Sequence, residues 1–151
     1  MWLNNFFKRK SKTRSLDKKI NMGFWSKLPK PFFVMAPLAD VTDCAFRRII
    51  AKHSRHGEVG GGPDVFWTEF VSADGLSSPA GREALIIDLK YSSSEHPILA
   101  QLFGSNTVNM ESATRLCAEL GFDGIDINMG CPDRSIEKSK SGAYDIKDPS
   151  L

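Results

Sequence analysis

Short apolar runs alternate along this chain with longer stretches in which apolar residues return every three or four positions. Phe32-Phe33-Val34-Met35-Ala36 follows Pro29 and Pro31, and its length and flanks read as a buried strand. Residues 40–53 (DVTDCAFRRIIAKH) predict a helix, capped by Thr42 or Asp40, with Ala45, Phe46, Ile49 and Ile50 along one apolar face. A glycine-rich loop, SRHGEVGGGP, follows over 54–63. Residues 64–70 (DVFWTEF) predict a second strand and 97–103 (PILAQLF) a third, with loop and a short helix over 72–85. Residues 107–120 predict a helix with Val108, Ala113, Leu116 and Leu120 inward, ended by Gly121 at the position after its cap. Gly124 to Met129 predicts a fourth strand.

Strands that are apolar nearly throughout, alternating with helices, indicate a parallel sheet covered by helices, hence an α/β fold. A doubly wound sheet and a (β/α)8 barrel both fit. The residues that look functional gather where strands end: Ala36-Pro37 after the first, and the polar Glu69 on the second, Gln101 on the third, and Asn128 and Cys131 on the fourth. In barrels the carboxyl ends of the strands carry the active site. No GxGxxG follows the first strand, which counts against a dinucleotide site of the doubly wound type. A full barrel takes about 250 residues. The expectation is therefore a partial (β/α)8 TIM barrel comprising about the first four β/α units. Its open edges predict self-association, or completion by a complementing chain.

Charge divides the chain in two. Residues 1–30 hold nine Lys/Arg against the single acid Asp17, a formal +8, and the remainder carries −6, giving the net +2. The reading is a basic, disordered N-terminal extension over 1–30 and one domain over 31–151. Such an extension suits a polyanion such as RNA. It also reads, with less support, as a mitochondrial presequence, since Lys outnumbers Arg and the amphipathic pattern is poor. Met22 could itself be a start. No apolar run approaches the roughly 18–20 residues of a membrane helix. Three separated cysteines, Cys44, Cys117 and Cys131, form neither a disulfide framework nor a CxxC zinc pair, and suggest a reducing, cytoplasmic setting. No His spacing suits a metal. Cys44 and Cys117 lie in helical patterns and read as core or interfacial thiols.

Cys131 is different. It stands in Gly124-Ile-Asp-Ile-Asn-Met-Gly-Cys-Pro-Asp-Arg134, where an apolar strand runs straight into a glycine, a thiol and a proline. By residue type alone, packing, metal binding, redox chemistry and acid catalysis all remain open. Likewise, Gln101 reads as a ligand-facing amide or a satisfied core amide, Glu69 as a functional or a structural carboxylate, and Asn128 as a site residue or a brace for its own loop.

Four segments together carry a resemblance: VMAPLADVTDCAFRRII (34–50), WTEFVSADGL (67–76), PILAQLFGSN (97–106) and GFDGIDINMGCPDRSIEK (121–138). In this order and spacing the chain resembles the N-terminal half of a tRNA-dihydrouridine synthase, from about Phe32 to Lys147. The resemblance implies an FMN-binding TIM barrel in which NADPH reduces the flavin. The flavin then passes a hydride to carbon 6 of a uracil in tRNA, and a cysteine protonates carbon 5. It implies that Ala36, Pro37 and Leu38 meet the flavin ring, that Gln101 bonds its polar edge, that Asn128 lies in the flavin and uracil site, and that Cys131 is the proton donor. Glu69 and Arg134 match positions near substrate. A thiol of ordinary pKa, about 8.5, is protonated at neutral pH and can serve as an acid. The alternative reading is a truncated member of that family without catalysis of its own.

Three departures from the family pattern stand out. Lys140 in Ser139-Lys-Ser-Gly-Ala143 occupies a place usual for glycine, Tyr144-Asp145 replaces an expected apolar pair, and the loop over 57–62 is longer than expected. The later lysine, histidine and glycine-rich loops that hold the cofactor's phosphate in the family do not occur by Leu151.

Overall fold

The computed structural model describes residues 23–147 of the 151-residue chain. Residues 1–22 of the extension expected over 1–30, and a start at Met22, lie outside the described residues.

Three strands form one parallel sheet in chain order, β1 (Phe66–Ser72), β2 (Ile98–Phe103) and β3 (Gly124–Ile127). The fold is α/β with a parallel sheet, as the alternating periods predict. The strand expected over 32–36 is reduced to one parallel bridge, Val34 to Val65, with Met35 N donating to Val65 O and Asp64 N to Phe33 O. The reason is local: Pro31 and Pro37 bracket the run and cannot donate to a ladder. Phe33 remains 60% exposed.

Register sorts the side chains. Val71 faces Leu102, and Ala100 faces Ile125. These residues pack under α2 (Ala73–Ser77) and α4 (Thr107–Glu119), with Leu76, Ala113 and Cys117 completing the core. The other face carries two aligned rows. Trp67, Leu99 and Gly124 form the lower row, and Phe70, Gln101 and Asp126 the upper.

Residues 23–27, assigned by charge to the extension, form a 3-10 turn instead. Trp25 lies 6.1 Å from the Trp67 ring, and a side chain at Gly124 would meet Phe24. The aromatics of this basic stretch thus pack against the lower row.

Helix α1 (Cys44–His53) begins later than expected, because Asp43 caps it, accepting from Phe46 N at 2.7 Å. Its apolar side is open, with Phe46 39% and Ile49 59% exposed, while Arg47 is buried. In α4 Ala113 and Cys117 are buried and Leu116 packs against the core, while Val108 and Leu120, expected inward, are exposed. Its end is as expected: Gly121 has φ +89, and the pair Gly121 N to Ala118 O and Phe122 N to Cys117 O closes the helix. Two short helices, α3 (Pro79–Leu85) and α5 (Arg134–Lys138), complete the set.

Burial pushes the Cys117 thiol up to about 11 from 9.0. The folded state therefore holds a proton that the unfolded state loses between those values, so stability present below about 9 is lost as pH rises toward 11. The melting temperature is expected to fall across that window and to fall less steeply in Cys117→Ala. Parallel profiles for the two proteins contradict this.

Candidate functional site

The candidate site is built where β1, β2 and β3 end. Gln101 and Asp126 are cross-strand partners and share a face, and Asn128 continues that face two residues on. Gln101 is 7% exposed, and Asn128 and Cys131 are half-buried. Gln101 Nε2 donates to Asp126 Oδ2 at 2.5 Å, and Asn128 Nδ2 donates to Gln101 Oε1 at 3.1 Å. Asn128 Oδ1 accepts from Gly130 N at 3.1 Å and Cys131 N at 3.0 Å. Asn128 does brace its loop, and through the same side chain it ties that loop to Gln101.

The thiol's backbone is held from a second direction. Ala143 N donates to Cys131 O at 2.9 Å. Gly142 has φ +65, and a side chain there would come within 2.8 Å of Cys131 O, so glycine lets the chain pass beneath the cysteine. Helix α5 leaves the loop with Asp133 as cap. Hydrogen bonds from the Ser135 hydroxyl and backbone hold that carboxyl below its usual range.

Helix α5 ends with Lys140 N donating to Glu137 O and Ser141 N to Ile136 O, the paired closure that wants a left-handed residue. Lys140 is that residue, at φ +57. The glycine that the resemblance leads one to expect here would have a physical reason, and lysine in this conformation costs about 1 kcal/mol. Lys140→Gly is expected to raise the denaturant midpoint by a corresponding amount. An unchanged or lower midpoint would contradict the backbone reading.

The second half of the site is a loop over 36–42. Ala36 and Leu38 are exposed and Pro37 half-buried. Thr42, expected as a helix cap, instead holds this turn: its hydroxyl accepts from Leu38 N at 2.9 Å. The register of β1 slips between Trp67 and Phe70, and Thr68 Oγ1 replaces a ladder carbonyl for Gln101 N at 3.1 Å. Such a bulge re-aims its neighbour. Glu69 accepts from Val41 N at 3.2 Å and so ties β1 to the loop.

The structure thus brings Gln101, Asn128 and Cys131 into one bonded set, and Glu69 into a second with the 36–42 loop. Arg134 opens α5 and is exposed, outside both sets. Sequence reasoning missed Asp126. Its signal was available: two polar residues spaced by two, Asp126 and Asn128, within an otherwise apolar strand.

Comparison of the sequence with known proteins points to a family. Residues 34–151 match the family described as dihydrouridine synthase (Dus). A "Probable tRNA-dihydrouridine synthase" of Staphylococcus aureus (strain Mu50 / ATCC 700699) is 38% identical over 128 residues, covering 85% of this chain and 37% of that protein. "Probable tRNA-dihydrouridine synthase 2" of Bacillus subtilis (strain 168) is similar to the same degree, 38% over 128 residues with the same coverage. A Staphylococcus epidermidis relative of the same description is 38% identical over 120 residues, 80% of this chain and 35% of its own. The chain therefore spans little more than a third of these curated relatives. With the family matched over most of its length, this chain belongs to the dihydrouridine synthases.

Proposed function

We propose that the protein acts in reducing uridine to 5,6-dihydrouridine in tRNA, with FMN as cofactor and NADPH as reductant, on a sheet that forms the first part of a (β/α)8 barrel. The observation that carries this reading is the bonded set of Gln101, Asn128 and Cys131 at the strand ends. FMN suits the residues present. Gln101 uses one Nε2 hydrogen on Asp126 and one Oε1 lone pair on Asn128, keeping one donor and one acceptor. That pair complements the alternating carbonyl and N–H edge of a flavin ring. Leu38 and Met129 offer apolar surface, 54% and 57% exposed. Ala36 and Pro37 stand beside Leu38 on the ring's side in this reading.

When bound and reduced, FMN would supply the hydride for carbon 6 of the uracil. Cys131 then delivers the thiol proton to carbon 5, and its thiolate recovers a proton from water. The base must leave its stack to reach a buried strand end, as in other base-modifying enzymes. Arg134, exposed beyond Cys131, takes a substrate phosphate, and Glu69 keeps the 36–42 loop in place beside the base. The surroundings we infer are reducing and cytoplasmic, in keeping with three unpaired cysteines. Among the described residues no helix is long and apolar enough to cross a membrane.

A second reading, that these residues do not turn over by themselves, is favoured by the sheet of three strands among the described residues, where a closed barrel has eight. The deciding experiment adds FMN to the purified protein and records flavin absorption, then incubates it with NADPH and unmodified tRNA and counts dihydrouridine. Flavin uptake with product supports the first reading, and flavin uptake without product supports the second. Absence of flavin uptake sinks the FMN assignment.

A further inference from the structure

We propose that Asp126 is a positioning residue, whose carboxylate sets the direction in which the Gln101 amide, and with it Asn128 and the Cys131 loop, faces the site. The inference rests on the functional reading above and adds to it a residue with a defined task.

The argument is one of donors and acceptors. An ionised carboxylate only accepts. Asp126 Oδ2 lies 2.5 Å from the Gln101 side chain, so Gln101 must turn its NH2 toward it. The Gln101 oxygen then lies on the other side, where Asn128 Nδ2 stands at 3.1 Å. Asn128 is thereby committed to turn its oxygen toward Gly130 N and Cys131 N, which only donate. The series begins at an acceptor-only group and ends at two donor-only groups, and the two amides between them have one consistent orientation. Reversing Gln101 would set its oxygen against a carboxylate and its NH2 against that of Asn128.

An amide by itself has no preferred sense, since its two ends are nearly equal in size. A ligand edge reads that sense, because donor and acceptor exchange places when the amide turns. Register supplies the geometry: Gln101 and Asp126 are direct partners across β2 and β3, so their side chains leave the sheet together. The short contact to a charged acceptor is of the stronger class of hydrogen bond.

Gln101 is the only glutamine in the chain, so its Nε2 protons give a single pair of side-chain NMR signals in protein labelled at glutamine. In the wild-type chain without ligand, one of these protons is expected well downfield and slow to exchange. Asp126→Asn keeps the size but can either donate or accept. It is expected to return that proton toward the position of a free amide and to weaken FMN binding, read by flavin fluorescence, by about tenfold. Asp126→Leu, which suits an apolar strand, is expected to do the same. A Gln101 pair that is unshifted in the wild type, or unmoved in a folded variant, overturns the role of Asp126 whatever the flavin result. If neither variant folds, the wild-type signal alone decides. Wild-type protein that takes up no FMN overturns the functional reading instead, while the ligand-free amide signal still judges the orienting bond.

Discussion

Replacing Glu95 by Ala is expected to cost about 3–5 kcal/mol of folding stability, a large share of what a domain of this size has. Glu95 and Arg47 are both fully buried, with Nε to Oε2 at 2.6 Å. Every arm of the guanidinium is used: Nη1 donates to Thr42 O at 2.7 Å and Nη2 to Lys90 O at 2.6 Å. The second carboxylate oxygen accepts from Ser92 N at 2.7 Å and Ser92 Oγ at 2.9 Å. Removing the carboxylate strands a positive charge in a dry site, whereas removing both charges does not. The pair Arg47→Met, Glu95→Leu is therefore expected to recover most of the loss. Arg47→Lys is not expected to be tolerated, because one ammonium cannot reach three acceptors set in a fork. Urea unfolding of the four proteins measures this. A Glu95→Ala protein within 1 kcal/mol of wild type would mean that water or another acceptor reaches Arg47. The pair also reaches the site: Arg47 holds Thr42, Thr42 holds Leu38 N, and Glu69 holds Val41 N. Loss of Glu95 is thus expected to loosen the 36–42 loop as well as the core.

That pair also marks a limit of reading from sequence. Periodicity found α1 by its apolar residues, yet Phe46 and Ile49 face outward and the side chain that goes in is Arg47. Hydropathy cannot announce a buried arginine, because its acceptors come from residues 42, 90 and 95, which only the fold brings together. The parallel sheet was legible because β2 is apolar but for Gln101 and buried along nearly its whole length, and β1 carries apolar residues on both faces. The first strand was not, since its apolar run met the strand pattern while its flanking prolines withheld the hydrogen bonds. Nor was the turn at 23–27: lysines nearby drew the segment into the extension, while Trp25 and Phe24 belonged to the sheet. At the site, Gln101, Asn128 and Cys131 were legible as polar interruptions at strand ends. Their mutual bonding was not, because it depends on register between β2 and β3 and on the acceptor Asp126.

In protein that forms dihydrouridine, Cys131→Ala is expected to lower turnover by about 10²–10⁴ while leaving flavin uptake and flavin reduction by NADPH unchanged. The substitution removes one sulfur from a loop whose fixed points are all backbone. Asn128 Oδ1 grips Gly130 N and Cys131 N, Ala143 N grips Cys131 O, and Gly142 passes beneath, so alanine at 131 keeps the loop in place. The expected defect is therefore chemical: charge that builds on the uracil after hydride arrival finds no proton at carbon 5. Asn128→Ala differs in kind. It takes away the acceptor for two backbone N–H groups and the donor to Gln101, so it is expected to weaken flavin binding and turnover together. Rapid-mixing measurement of flavin reduction, followed by flavin reoxidation on addition of tRNA, separates the two defects. Cys131→Ala should be reduced at the wild-type rate and then stall when tRNA is added. Cys131→Ser keeps a proton on a much weaker acid and should stall nearly as badly. Wild-type reoxidation in Cys131→Ala would refute the acid role, and Cys131 would then be a packing residue at the lip of β3.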